Sequence, residues 1–441
     1  MIKSKQRSQT SYIFLHLALI CIAIIPFSQT LSKLNSVFLY SDEMSVVCLL
    51  MYMIMNRPFK DSTSYEKGFF VLYGIFVTIG LIGNFVSGMQ SHAVAIALGI
   101  FGCLKFTATF FIILYYYPLP KAQSIEKRLM RWMQIGLLIT ILFYFFNLLW
   151  KVDKESFSFA RYGIPALTFF CHPSNIASVS CAFASFFYYK HIQGKCSYIW
   201  VIMSMVTCAL SLRAKAVAIV LVFLYALIFF RKRISVIPLV VLIGIVTVIV
   251  WPSIEYYYLQ ESASRAVLLR TSLDIAKNGF PIGSGFNTFG TMLSGRYYSG
   301  IYYQYGLSNR WGFSPNAYSF LTDGGYATII AEFGWIGFVV FLGMILLFIC
   351  SVSKRLRIRC NKIPILLLII YMLLAQTNEQ SMASNYAPLY AALLAIEMNG
   401  YIAYGETITQ NKVTEKVAGV ALADSIGEEQ VGEQTIGGKN V

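Results

Sequence analysis

Residues 326–350 read YATIIAEFGWIGFVVFLGMILLFIC, an apolar run interrupted by one charge, Glu332. The hydrocarbon core of a bilayer is about 30 Å thick and an α-helix rises about 1.5 Å per residue, so a run of this length spans it. The same ruler finds further apolar segments near 12–28, 43–56, 68–88, 93–117, 132–150, 162–189, 197–211, 214–230, 234–251, 363–376 and 386–402. Those at 43–56, 197–211 and 363–376 are short. Composition agrees with this reading. Of 441 residues, 57% are hydrophobic and 12% charged, with a mean hydropathy of +0.64. Soluble domains carry about 25% charged residues. An ordinary soluble enzyme and a disordered scaffold are therefore excluded. The expected fold is all-α, a polytopic membrane bundle of about twelve spans.

The net charge of +15 comes from 35 Lys and Arg against 20 Asp and Glu. In a soluble chain that balance points to nucleic acid; in a membrane chain it first reflects the excess of Lys and Arg in cytoplasmic loops. The clusters Lys3/Lys5/Arg7, Arg57/Lys60/Lys67, Lys121/Lys127/Arg128/Arg131, Lys190/Lys195, Arg231/Lys232/Arg233 and Lys354/Arg355/Arg357/Arg359/Lys362 all flank spans on even-numbered connections or at the N-terminus. One topology satisfies all of them, with both termini cytoplasmic and no nucleic-acid partner required. The first segment has the basic start of a signal peptide but no evident small-residue cleavage site, so it reads as a span. The nine cysteines fall in spans or cytoplasmic turns without CxxC spacing, so neither disulfides nor a zinc site is expected.

By this topology residues 252–325 form one long external loop between the bundle segments 1–251 and 326–402, with a polar tail at 403–441 expected to be flexible and cytoplasmic. The loop is rich in aromatics, among them Tyr256, Tyr257, Tyr258, Tyr297, Tyr298, Tyr302, Tyr303, Tyr305, Trp311 and Tyr318. It keeps Arg265, Arg270, Lys277, Arg296 and Arg310 on the side where topology asks for few cations. Aromatic faces suit sugar rings and guanidinium suits phosphate, while interfacial anchoring also explains Tyr and Trp.

Residues 262–277 read as a helix with Ala266, Leu269, Leu273 and Ala276 on one face. Arg265 and Arg270 then point about 140° apart and do not aim at one phosphate. The FPIGSGF stretch at 280–286 is a Pro/Gly turn with only a weak likeness to a phosphate-binding loop. A second external basic pair, Arg213 and Lys215, follows 197–211 and fits either a substrate contact or headgroup snorkelling. Asp323 stands at the mouth of the 326–350 span, as a base or as its N-cap. Glu332 reads as a buried structural carboxylate. Lys105, deep in its span, must pair in the bundle or face a channel, and Asp42 and Glu43 are expected to cap their helix or face water.

The order of these elements resembles the O-antigen ligase/polymerase family of bacterial envelope glycosyltransferases. The resemblance runs from SLR at 211–213 through Arg265, Leu273 and the Pro-x-Gly-x-Gly-Phe turn at 281–286 to DGGYATIIAEFGWIG at 323–337, some 130 residues. It implies a GT-C-like glycosyltransferase of the inner membrane, with 252–325 in the periplasm. It also implies an undecaprenyl-diphosphate-linked glycan as substrate, with membrane lipid and a chain-length regulator protein as expected partners. The ligase pattern usually has a His-Asn pair nine residues before the glutamate; here Asp323-Gly324 stands there, which favours a polymerase and carries over no histidine base. None of His16, His92, His172 and His191 lies in the loop.

Transfer from a lipid diphosphate to a sugar hydroxyl builds charge on the leaving group, which cationic side chains can stabilise. Arg265 and Arg213 are the expected stabilisers and Asp323 the expected base. Arg270, Lys215, Arg296, Arg310, Tyr297 and Trp311 are expected to bind substrate. No DxD-type carboxylate cluster lies near the loop, so no metal or other cofactor is expected. The alternatives are the ligase and, from another class, a flippase for the same lipid-linked glycan.

Overall fold

The computed structural model describes residues 2–58, 60–117, 119–160, 163–166, 172–229, 236–356 and 362–402. The basic residues 231–233, 357 and 359 and the expected tail at 403–441 lie outside these. Among the described residues there is no strand; Ser314 and Ala317 form an isolated bridge. The long helices are α1 (Ile2–Ile24), α2 (Ser41–Met55), α3 (Ser64–Ser87), α4 (Ala93–Tyr116), α5 (Leu119–Trp150), α6 (Pro173–Ile192), α7 (Ile199–Ala209), α8 (Ala214–Phe229), α9 (Val236–Ile254), α10 (Ser264–Asn278), α11 (Gly325–Arg355), α12 (Ile363–Ala375) and α13 (387–402). Helices suit lipid because each satisfies its own backbone N–H and C=O groups.

Seven helical stretches among the described residues are long and apolar enough to cross a membrane: Ser11–Leu31, Ser36–Met55, Ser64–Ser87, Ala93–Tyr116, Ser124–Trp150, Val240–Leu259 and Gly325–Arg355. The protein is a helical membrane protein. Helices α7, α8 and α12 are apolar but shorter. Helices α6 and α13 carry more polar residues because they sit in the middle of the bundle. Residues 387–396 of α13 are nearly without exposure, and its Glu397 accepts from Ser185 Oγ of α6 at 2.9 Å. Two boundaries differ from the sequence reading. The segment expected at 162–189 has its described helix from Pro173, with His172 as N-cap, while 162 and 167–171 lie outside the described residues. The loop expected from 252 begins later, since α9 runs through Pro252 into a π-helical turn, Glu255–Leu259.

Helix α2 packs between α1 and α4, α11 lies along α3, and α12 bridges α6 and α8. Lys105 of α4 is buried and paired, its Nζ 2.6 Å from Asp42 Oδ2 and 2.6 Å from Glu43 Oε1. The expectation that Asp42 and Glu43 cap α2 or face water is therefore corrected. A lone ammonium inside the bundle is costly, and two carboxylates from the neighbouring helix compensate it.

Polar contacts gather at the two ends of the bundle. At one end Glu66 completes the capping box of α3 and accepts from Arg355 Nε at 2.5 Å, Ser351 Oγ at 2.7 Å and Tyr115 OH at 2.9 Å. Lys190, at the end of α6, pairs there with Glu126. At the other end of α6 and α11 lie His172 and Asp323. With 31 residues in α11, the two ends are at most about 46 Å apart, the length of a straight helix.

The segment 264–325 is no linker. It has its own core, with Val267, Leu268, Ile275, Phe289, Ile301, Tyr302, Leu307, Phe313 and Leu321 buried together. Tyr302 is fully buried, and its OH accepts from Gly290 N at 2.9 Å. Tyr298 OH donates to Phe313 O at 2.7 Å. Several tyrosines that could have faced sugar are thus part of the loop's interior.

Candidate functional site

The loop is fastened to the membrane helices by its glycine turn. Helix α11 breaks at Gly334, whose φ of 64° and ψ of −167° suit glycine alone. The break frees carbonyls, and the turn at 281–286 wedges against them. Ser284 N donates to Ala331 O at 2.9 Å and Gly285 N to Glu332 O at 2.8 Å, while Ile336 N donates to Pro281 O at 3.4 Å. On the other side Asn84 of α3 pairs with Phe286 in both directions, donating to its carbonyl at 2.9 Å and accepting from its N–H at 2.8 Å. Glu332 Oε1 accepts from Phe289 N at 3.2 Å. The glycine turn therefore spends its N–H groups within the protein, which removes even the weak phosphate-loop reading. Glu332 has the structural role expected of it.

Beyond the wedge, the start of α11 is pinned against the chain between α12 and α13. Tyr326 N donates to Gln376 O at 3.1 Å, and a Cβ on Gly325 would stand 2.5 Å from the carbonyls of Gln376 and Glu379. Gly324 occupies the cap position, with no side-chain cap bond. Asp323 is thus not the N-cap of α11. Its Oδ2 lies 3.5 Å from Ser264 Oγ, at the start of α10, and Arg265 and Arg213 are its cationic neighbours. Burial pushes the Asp323 carboxyl above the ordinary range, partly offset by Arg265, the Ser264 hydroxyl and Arg213, while Glu379 adds to the rise.

Arg265 lies in the first turn of α10, half-buried, with its guanidinium 4.2 Å from the centre of the Tyr257 ring. Its Nε is buried without an acceptor among the described residues. Tyr258, next along the π-helical turn, donates its OH to Thr377 O at 2.9 Å and so ties α9 to the same chain segment.

Arg213 follows Leu212, whose φ of 53° turns the chain from α7 into α8. The Arg213 carbonyl accepts the first N–H bonds of α8, from Ala216 and Val217. Its side chain is directed to His172, Nη2 standing 3.2 Å from Nε2, and across Phe159 at 5.4 Å. Lys215 is buried rather than snorkelling. Its Nζ donates to Glu379 Oε1 at 2.7 Å. Burial and the positive charges of Arg213 and Lys215 push His172 down to about 4, against the pull of Glu379. Its ring is neutral at ordinary pH.

Four elements remote in sequence therefore meet at one end of the bundle: the turn before α6, the start of α8, the start of α10 and the mouth of α11, with the 376–386 segment closing the group. Arg213, Arg265, Lys215 and Asp323 come together as one charged group. Arg270, Arg296, Arg310, Tyr297 and Trp311 do not join it. Arg270 is exposed and 3.7 Å from Glu261, on the opposite side of α10 from the packed face, as its 140° offset from Arg265 anticipates. Arg296 and Arg310 are exposed on the loop, Trp311 meets Phe320 edge-on, and Tyr297 lies against His92.

Two members of the group were missed in the sequence, His172 and Glu379. His172 was concealed inside an expected span. Glu379 is the carboxylate of the short connection TNEQSMASN at 377–385, and that placement was the available signal.

Chemically the site offers two guanidinium groups for an anion, an ion pair between Lys215 and Glu379, and a carboxylate with a raised pKa. No family model matches the chain, and no curated protein matches it.

Proposed function

We propose that this protein polymerises undecaprenyl-diphosphate-linked oligosaccharide repeat units into O-antigen or capsular polysaccharide at the periplasmic face of the bacterial inner membrane. The observation that carries this reading is that the positive charges of Arg265 and Arg213 both act on Asp323, while Arg265 Nε is buried without an acceptor among the described residues. The motif order from 211 to 337 supports the same class. In this reading the bundle is GT-C-like, with twelve spans and both termini cytoplasmic. The residues around Asp323 then face the periplasm.

The two arginines bind the diphosphate and stabilise the charge that grows on it as the glycosidic C–O bond breaks. Asp323 accepts the proton of the attacking sugar hydroxyl. The Lys215–Glu379 pair fixes the segment that closes the site. The loop's exposed Trp311, Arg296, Arg310 and Arg270 and its half-buried Tyr297 are placed for the growing glycan, and a chain-length regulator is a fitting partner for that surface.

Deleting the gene and running lipopolysaccharide on a gel tests the reading. Loss of a polymerase gives core carrying a single repeat unit. Bare core points instead to the ligase or the flippase, and unchanged ladders reject all three. Within the site, Asp323→Asn is expected to lower polymer formation about a hundredfold or more, in the range of general-base catalysis. A base must be deprotonated to work, so the wild-type rate should rise with pH through the raised Asp323 pKa, above the ordinary carboxylate range. The variant should lose that acid limb; an Asn enzyme with wild-type rate and profile would remove Asp323 from proton transfer.

A further inference from the structure

We infer that the π-helical turn Glu255–Leu259 is a clamp for Arg265: Tyr257 and Tyr258 are positioning residues that hold its guanidinium toward the departing diphosphate without neutralising it. This role rests on the function proposed above and extends it to two uncharged residues. A π-turn closes i→i+5 hydrogen bonds, here Gln260 N to Glu255 O at 3.3 Å. It holds more residues per turn than an α-turn, so successive side chains diverge less. Two adjacent tyrosines thereby meet the same arginine. The Tyr257 ring faces the guanidinium at 4.2 Å. The Tyr258 hydroxyl donates to Thr377 O at 2.9 Å, with Asn378 Oδ1 a longer acceptor at 3.4 Å, and Arg265 is its hydrogen-bonding neighbour. A hydroxyl has one proton and guanidinium only donates, so the Tyr258 oxygen accepts from Arg265.

The partners of Arg265 differ from those of the other buried cations. Lys105, Lys190, Lys215 and Arg355 each pair with a carboxylate, as does the exposed Arg270. Among the described residues Arg265 forms no such pair, although Asp323 is near enough to feel its charge. A carboxylate in contact would cancel much of the charge that a leaving diphosphate needs. A ring face and a neutral hydroxyl orient the guanidinium and leave that charge available. The hydroxyl is itself anchored, because the chain around Thr377 is held by Tyr326 N on Gln376 O at 3.1 Å and by Lys215 Nζ on Glu379 at 2.7 Å.

Purified full-length protein in detergent can be titrated calorimetrically with geranylgeranyl diphosphate, with geranylgeraniol as the uncharged control. Tyr258→Phe removes only the hydroxyl. It should bind the diphosphate about tenfold more weakly, the scale of one hydrogen bond to a charged group, and geranylgeraniol unchanged. In an Arg265→Ala background the same change should have no further effect, because the tyrosine acts through the arginine. Tyr257→Phe keeps the ring and should bind like the wild type, while Tyr257→Leu should bind the diphosphate at least about threefold more weakly. The Leu variant keeps the tie to Thr377 and so tests the clamp even if Tyr258→Phe fails to fold. Wild-type diphosphate affinity in Tyr258→Phe or Tyr257→Leu, or a Tyr258→Phe loss of equal size with and without Arg265, would overturn the clamp while leaving the proposed function standing. A wild type that does not bind geranylgeranyl diphosphate would instead overturn the proposed function, and the clamp with it.

Discussion

Arg265→Ala is expected to give lipopolysaccharide with a single repeat unit on the core, at normal protein level in the membrane. The cost should be at least a hundredfold in polymer formation, the scale found when a donor aimed at developing negative charge is removed. The size follows from the setting. Arg265 is half-buried, its guanidinium lies over the Tyr257 ring at 4.2 Å, and its Nε is buried without an acceptor among the described residues. A donor already oriented and already desolvated needs no reorganisation when charge develops. Arg265→Lys should restore little, because an ammonium has neither the planar fork nor the stacking surface. Arg270→Ala, on the exposed side of the same helix, should leave the ladder intact. Full ladders from Arg265→Ala would remove this residue from the mechanism; equal defects in the two variants would mean that α10 matters only as a scaffold.

The contrast between these arginines was legible in the sequence, because helical periodicity alone sets their directions apart. The buried face of α10 was legible only in part: Ala266 and Ala276 are buried as expected. Counting apolar residues selects Leu269 and Leu273, yet Leu273 is 38% exposed, and Thr271 and Ser272 are buried instead. Ser272 can be buried because its hydroxyl donates to Leu269 O at 2.7 Å. A stripe with satisfied hydroxyls packs as well as an aliphatic one, and hydrophobic periodicity does not register it.

The positions of the apolar helices were readable because lipid imposes one rule on every segment it touches. The site depends on pairings that no local rule supplies. Arg213 with His172 and Lys215 with Glu379 join segments 41 and 164 residues apart. The charge asymmetry of the sequence does single out Arg213, Lys215, Arg265 and Asp323, since charges apart from the basic clusters that flank the spans need a reason. A neutral histidine and a carboxylate already balanced by a lysine leave no such imbalance.

Glycine is where local sequence and function join most tightly, and Gly334→Ala should be among the most damaging small substitutions in the chain. At φ 64° and ψ −167° a side chain is strained by about 1–3 kcal/mol. A Cβ there would also stand 2.6 Å from Gly283 N, which adds about 1–3 kcal/mol of overpacking. Thermal unfolding of the purified protein in detergent measures the loss. Gly74→Ala is the control, a helical glycine whose Cβ would meet nothing within 4 Å. It should be neutral or stabilise by about 0.5–1 kcal/mol. Gly283→Ala attacks the same wedge from the loop side, so its cost and that of Gly334→Ala should combine less than additively. The two changes should also depress polymer formation, because the short helical stretch between Gly325 and Gly334 carries Asp323 at its mouth and is held in place by the wedge. A Gly334→Ala protein that melts like the wild type would mean that α11 straightens at no cost, and the glycine turn would then not be what positions the site.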